Sequence, residues 1–132
     1  MPTRYYITPY DPASWRDPDV DGDTSSLKVF FMDFSNAARS VWSSYQAHPS
    51  FSWSITFLDD VMIDGGFIGE GKQVLILSQP MVPSHWYDFI IWYRTFIPIE
   101  YSLFLFAEGS WNSLKLTDKT TASDIREFTG LD

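Results

Sequence analysis

Phe51-Ser52-Trp53-Ser54-Ile55-Thr56-Phe57 alternates apolar and hydroxyl-bearing residues without a break. Successive side chains on a strand point to opposite faces. Phe51, Trp53, Ile55 and Phe57 therefore share a greasy face and Ser52, Ser54 and Thr56 a wet one, the pattern of a half-buried strand. Such a strand needs partners to pair with and an apolar layer over its greasy face.

Asp59-Asp60 ends the strand, Val61 to Ile63 predicts a short extension, and Gly65-Gly66 predicts a break before Phe67-Ile68. Gly69-Glu70-Gly71-Lys72 reads as a tight turn into residues 73–78, where Val74-Leu75-Ile76-Leu77 is apolar enough for a central strand. Arg4 to Thr8 suits a short strand stopped by Pro9, Tyr101 to Ala107 another buried strand, and Leu114-Lys115-Leu116 a final short one.

The covering layer comes from two helical patterns. Leu27, Phe30, Phe31, Phe34, Ala38, Val41, Trp42 and Tyr45 recur at helical spacing, which predicts a long helix from Leu27 to His48, capped by residues 23–26 and stopped by Pro49. After Pro80 and Pro83, Ser84 can cap a second helix, with Trp86, Phe89, Ile90, Tyr93 and Ile97 as its stripe and Pro98 as its end. Thr121-Ala122-Ser123-Asp124 has the form of a capping box for a short C-terminal helix with Ile125 and Phe128 inward and Gly130 as its stop. The expected fold is α+β: a mainly antiparallel sheet of about five to six strands, two long helices on one face, and a short C-terminal helix.

At 132 residues the chain supports one globular domain, residues 1–132, since a second would have no core. Six Trp, seven Tyr and eleven Phe set it apart from disordered chains. Nine Lys and Arg against seventeen Asp and Glu give a net charge of -8, which argues against nucleic acid as a ligand, because phosphate neutralisation needs clustered basic residues. The absence of cysteine removes disulfides, thiolate nucleophiles and cysteine zinc sites. The N-terminus lacks the apolar run of a secretory signal and residues 86–106 are interrupted by charges and Pro98, so the expected location is cytoplasmic, without a membrane span.

Several motifs bear on chemistry. Asp17-Pro18-Asp19-Val20-Asp21-Gly22-Asp23 places carboxylates and a glycine as the first half of a calcium loop does. Asp17, Asp19, Asp21 and Asp23 are the candidate ligands, and calcium is the one cofactor the sequence suggests. The match fails at the twelfth position, where Lys28 stands in place of the bidentate Glu; a solvated acidic loop accounts for the same residues. Gly66 to Lys72 spells most of a phosphate-binding loop, but Gln73 follows and then a strand pattern, whereas such a loop must open a helix. Asp64, Glu70 and Lys72 suggest a magnesium nuclease, an arrangement in which carboxylates hold the metal and Lys steadies the attacked phosphate. Here Glu70 and Lys72 sit in a glycine turn of an acidic chain. His48 and His85 stand at helix ends with no zinc spacing.

Trp15 in the acidic loop and Trp111 in the polar loop Glu108-Gly109-Ser110-Trp111-Asn112 are candidate aromatic contacts for a partner, with Glu108 as a candidate polar contact beside Trp111. Arg94, ringed in sequence by apolar residues, must find a carboxylate such as Asp88 or Glu100, a carbonyl, an aromatic face, or an anionic ligand.

Phe89-Ile90-Ile91-Trp92-Tyr93-Arg94 with Ile97-Pro98, preceded by Gly65-Gly66 and followed by Leu114 to Thr117, Thr120-Thr121 and Asp124-Ile125, resembles small uncharacterised bacterial proteins, cyanobacterial ones among them. The resemblance covers about the C-terminal half, implies a bacterial cytosolic origin, and lends no catalytic residue. The functional expectation is a non-enzymatic acidic module that binds another protein, preferably a basic one, as an adaptor, regulator or immunity-type inhibitor does. The alternatives are a small-ligand or calcium-binding domain using the Asp17 to Asp23 loop, and the nuclease.

Overall fold

The computed structural model describes residues 4–10, 27–68, 74–78, 82–110 and 112–131. Its strands are β1 (Arg4–Thr8), β2 (Gln46–His48), β3 (Ser52–Thr56), β4 (Met62–Ile68), β5 (Val74–Ser78), β6 (Leu103–Ala107) and β7 (Leu114–Leu116). Its helices are α1 (Phe31–Val41), α2 (Pro83–Phe96) and α3 (Ala122–Thr129). The strands form one seven-stranded sheet in the order β2-β3-β4-β5-β1-β6-β7, every neighbouring pair antiparallel. The α+β architecture is as expected; the strand count is higher, and the first helix is shorter.

Both differences arise where tertiary pairing overrides a local pattern. The helical spacing from Leu27 to Tyr45 is real, yet only residues 31–41 are helical. Trp42 is already extended, and the hydroxyl of Ser44 donates to the Thr56 carbonyl and accepts from the Thr56 N–H. That clamp turns the chain onto the edge of β3, where residues 46–48 gain ladder hydrogen bonds that a frayed helix end lacks. His48 therefore lies in β2, its Nε2 hydrogen-bonded to Ser54 Oγ at 2.8 Å, and does not end a helix. The N-cap is Phe30, with no side-chain hydrogen bond; residues 23–26, expected as caps, lie outside the described residues.

The second correction is β4. Gly65-Gly66 does not break the chain, because β4 runs unbroken from Met62 to Ile68. A row of paired residues crosses the sheet through Ala47, Trp53, Gly65, Leu77, Tyr5 and Ala107. Gly65 is small there because the Trp53 indole lies over it: a Cβ on Gly65 would come within 2.7 Å of Trp53 Cζ2 and 2.4 Å of the Ile76 carbonyl oxygen.

Helices α1 and α2 cover one face of this sheet. Phe34 of α1 packs edge-on against Phe67 of β4 with centroids 4.8 Å apart, and also meets Phe89, Tyr93 and Phe96 of α2. Phe89 stacks on Trp53 at 4.7 Å, and Trp86 meets Tyr5 edge-on at 4.8 Å. Offset and edge-on pairs of this kind add about 0.5 to 1.5 kcal/mol each beyond the area they bury. The expected stripe of α2 is buried as read, but the N-cap is Val82, with no side-chain hydrogen bond, in place of the expected Ser84, and Pro83 is the first helical residue. α3 packs on α2 and carries the expected capping box: Thr121 Oγ1 accepts from the Asp124 N–H at 3.2 Å and Asp124 Oδ2 from the Thr121 N–H at 2.9 Å. Gly130 closes it in the left-handed conformation at φ 71°.

Candidate functional site

The turn between β3 and β4 is a three-residue hairpin loop. The Phe57 N–H donates to the Val61 carbonyl at 2.8 Å and the Asp60 N–H to the Phe57 carbonyl at 2.9 Å. Such loops need a left-handed residue at their third position, and Asp60 supplies it at φ 64°, a region aspartate tolerates better than most side chains. The geometry places Leu58 at the tip, where it is fully exposed (106 %).

Asp59 fastens the turn at two points. Its Oδ1 accepts from the Val61 N–H at 3.2 Å, and its Oδ2 lies 2.8 Å from His85 Nε2. His85 stands in the first turn of α2, and its ring stacks on Phe57 with centroids 4.0 Å apart and planes 5° from parallel. The hairpin is thereby held to the helix layer by both a ring stack and a charge-assisted contact. Beside it opens a cleft of about 530 Å³ walled by Val41, Trp42, Phe57 and Leu58 and rimmed by Ser43, Ser44 and Asp60. Val41, at the end of α1, is half-exposed like a wall with no cover.

The electrostatics are negative. The Asp59 carboxyl is held below the ordinary range of an aspartate, chiefly by its hydrogen bond with His85 and also by the Val61 N–H, against partial desolvation. A carboxyl with a depressed folded value contributes to stability above its unfolded pKa and loses that contribution as pH falls through the folded one. The hairpin should therefore stay fastened at neutral pH and release in acid, below the ordinary value of 3.8. An NMR titration following the Leu58 methyls should show an acid limb that Asp59→Asn removes; a limb unchanged by that substitution contradicts the assignment. Among the described residues no hydroxyl hydrogen-bonds to the His85 ring, so the Asp59–His85 pair has no nucleophile in line.

The residues singled out in the sequence fare differently. Asp17, Asp19, Asp21 and Asp23, together with Trp15, Trp111, Glu70 and Lys72, lie outside the described residues. Asp64 is exposed on β4 opposite Ser54, on the sheet face away from the helices. Among the described residues no three His, Asp or Glu converge as a metal site would require. Among the described residues the element that follows β4 is β5, paired antiparallel with it, and not the helix whose start cradles phosphate. Glu108 is exposed in the turn after β6, its N–H held by the Arg4 carbonyl at 2.8 Å.

Arg94 is 4 % exposed and meets neither Asp88 nor Glu100. Its guanidinium closes the C-terminal end of α2: Nη2 donates to the Ile97 and Pro98 carbonyls at 3.0 and 2.9 Å, and Nη1 to the Tyr101 and Leu116 carbonyls at 2.9 and 3.4 Å. Burial pulls its pKa below the usual arginine value, an effect opposed by Tyr93 and Asp118. Arg94 thus ties the end of α2 to the chain beyond it, donating to the carbonyl of the C-cap residue Ile97 and to those of Pro98, Tyr101 and Leu116.

Sequence reasoning missed Leu58, Trp42 and the Asp59–His85 pair. The signal was present in Phe57-Leu58-Asp59-Asp60, an aliphatic residue stranded between the end of a strand and two turn-forming aspartates. No family model, curated protein or solved structure matches this chain. No helix among the described residues is long and apolar enough to cross a membrane.

Proposed function

We propose that this protein is an acidic interaction module that docks a basic protein partner in the cleft beside the β3–β4 hairpin, in the manner of an immunity or inhibitor protein. The observation that carries this reading is Leu58, an aliphatic side chain held fully exposed at the tip of a turn that is fastened on both sides. It buries nothing within the fold, which leaves it available to pack against a partner. Leu58, Val41 and Trp42 offer apolar anchorage of the kind that dominates interface energetics. Asp59 and Asp60 beside them, and the net charge of -8, select a partner whose apolar anchor is flanked by Lys or Arg.

The test uses a peptide array in which each member carries one Trp or Leu among Lys and Arg, with acidic counterparts as controls. Basic members should bind, and Leu58→Ser should weaken the best of them at least tenfold while leaving the thermal midpoint unchanged, since surface changes away from contacts shift stability by no more than about 0.5 kcal/mol. Binding that survives Leu58→Ser, or that favours the acidic controls, overturns the proposal.

A further inference from the structure

A second cleft, of about 480 Å³, lies at the other end of the sheet. Its floor is Tyr5 of β1 and Ala107 of β6, which are paired across the sheet. One wall is Ser110 and Asn112, and the other is the last turn of α3 with Glu127 and Phe128. Its volume falls in the range of about 300 to 1,000 Å³ usual for small-ligand sites.

The polar groups around it differ in what they leave unused. Tyr5 is only 6 % exposed, yet its hydroxyl has no hydrogen-bond partner among the described residues. Burial raises its pKa above the ordinary value of 10.0, so it remains a phenol and a donor. Ser110 Oγ accepts from the Asn112 N–H at 3.1 Å, which leaves its own proton to give. The Asn112 carboxamide makes no hydrogen bond, and the Glu127 carboxylate no ion pair, among the described residues. Thr129 is spent locally, donating to the Ile125 carbonyl at 2.8 Å and accepting from the Leu131 N–H at 3.3 Å, so it presents its methyl.

This inventory selects a ligand class by elimination. An anion meets the Glu127 carboxylate and a chain of net charge -8. A simple cation satisfies Glu127 but offers no acceptor to the O–H groups of Tyr5 and Ser110 or the N–H groups of the Asn112 carboxamide. A neutral molecule whose hydroxyls both donate and accept answers all of them, with its C–H face against Phe128 and Ala107. We propose that this cleft binds a neutral polyhydroxylated ligand, a sugar unit, independently of the protein-docking cleft.

The test is ligand-observed saturation-transfer NMR on the whole chain with glucose, galactose, N-acetylglucosamine and maltotriose, and with spermidine as a cationic control. At least one sugar should receive saturation, and both Tyr5→Phe and Asn112→Ala should weaken it tenfold or more. Leu58→Ser should leave it unchanged, which separates this site from the docking cleft. A response to a monosaccharide assigns a free sugar, and a response to maltotriose alone assigns a glycan chain. Silence from every sugar, a signal that survives both substitutions, or preference for spermidine overturns the proposal. The two variants guard each other: Asn112 is exposed on a loop, so its loss of binding cannot be ascribed to a disturbed core.

Discussion

Gly65→Val should abolish cooperative folding, and Gly65→Ala should lower stability by about 3 kcal/mol, the upper end of what overpacking costs in a close-packed interior. The expectation does not rest on backbone freedom, since Gly65 is absent from the positive-φ positions. It rests on space. The first atom added meets the Ile76 carbonyl oxygen at 2.4 Å and the Trp53 indole at 2.7 Å. The indole is 1 % exposed and stacked under Phe89, so it has no direction in which to retreat. The carbonyl belongs to the neighbouring strand and moves only if the sheet moves. Gly66→Ala is the control: its nearest neighbour, the Phe51 carbonyl oxygen at 3.4 Å, is an ordinary contact. Urea midpoints should show Gly66→Ala within about 1 kcal/mol of the parent, on the scale of strand propensities. Equal losses for the two glycines would contradict the packing account.

Arg94→Met should cost about 4 kcal/mol, although no carboxylate hydrogen-bonds to the guanidinium among the described residues and Asp118 acts on it only at a distance. The substitution keeps most of the apolar stem and removes the donors that serve the Ile97, Pro98, Tyr101 and Leu116 carbonyls. Each buried acceptor left without a donor costs about 1 to 3 kcal/mol, with some relief where water reaches the partly exposed ones. Arg94→Lys should recover only part of this, because an ammonium is a point donor and cannot fork across carbonyls on two sides. Denaturant midpoints with unchanged slopes check the order, parent above Lys above Met. A Lys variant as stable as the parent would mean that the charge matters at this helix end and the fork does not.

The legibility of this chain in its sequence follows the reach of each interaction. Ser52 to Thr56, the stripe of α2 and the Thr121 capping box are decided within a few residues, and the structure reproduces them, whereas Phe51, expected on the buried face of the strand, precedes it in a left-handed conformation (φ 60°) and is exposed. The end of α1 is decided by Thr56, twelve residues beyond Ser44, and a helical spacing that continues to Tyr45 gives no warning of it. Gly65 reads locally as a breaker, since its reason for being glycine is an indole on the adjacent strand. The sequence around Arg94 admits a carboxylate, a carbonyl, an aromatic face or a ligand as its partner, and only the chain's return at Tyr101 and Leu116 selects the carbonyls. The cleft proposed for docking is the least legible part. It joins the end of α1, the tip of the β3–β4 hairpin and, through the Phe57 stack, His85 of α2, whose proximity no short-range pattern encodes.

The proposed docking role of the β3–β4 cleft is tested most directly by an amide chemical-shift map of the ¹⁵N-labelled protein, titrated with the tightest basic peptide from the array. The shifts should concentrate in residues 41–44 and 56–60 and at His85, and should weaken as salt rises, since the Asp59 and Asp60 contribution is screened over about 10 Å at 0.1 M. Shifts centred on Ser110, Asn112 and Phe128, or on the sheet face away from the helices, or none with any basic peptide, would contradict the assignment of the β3–β4 cleft as the docking surface.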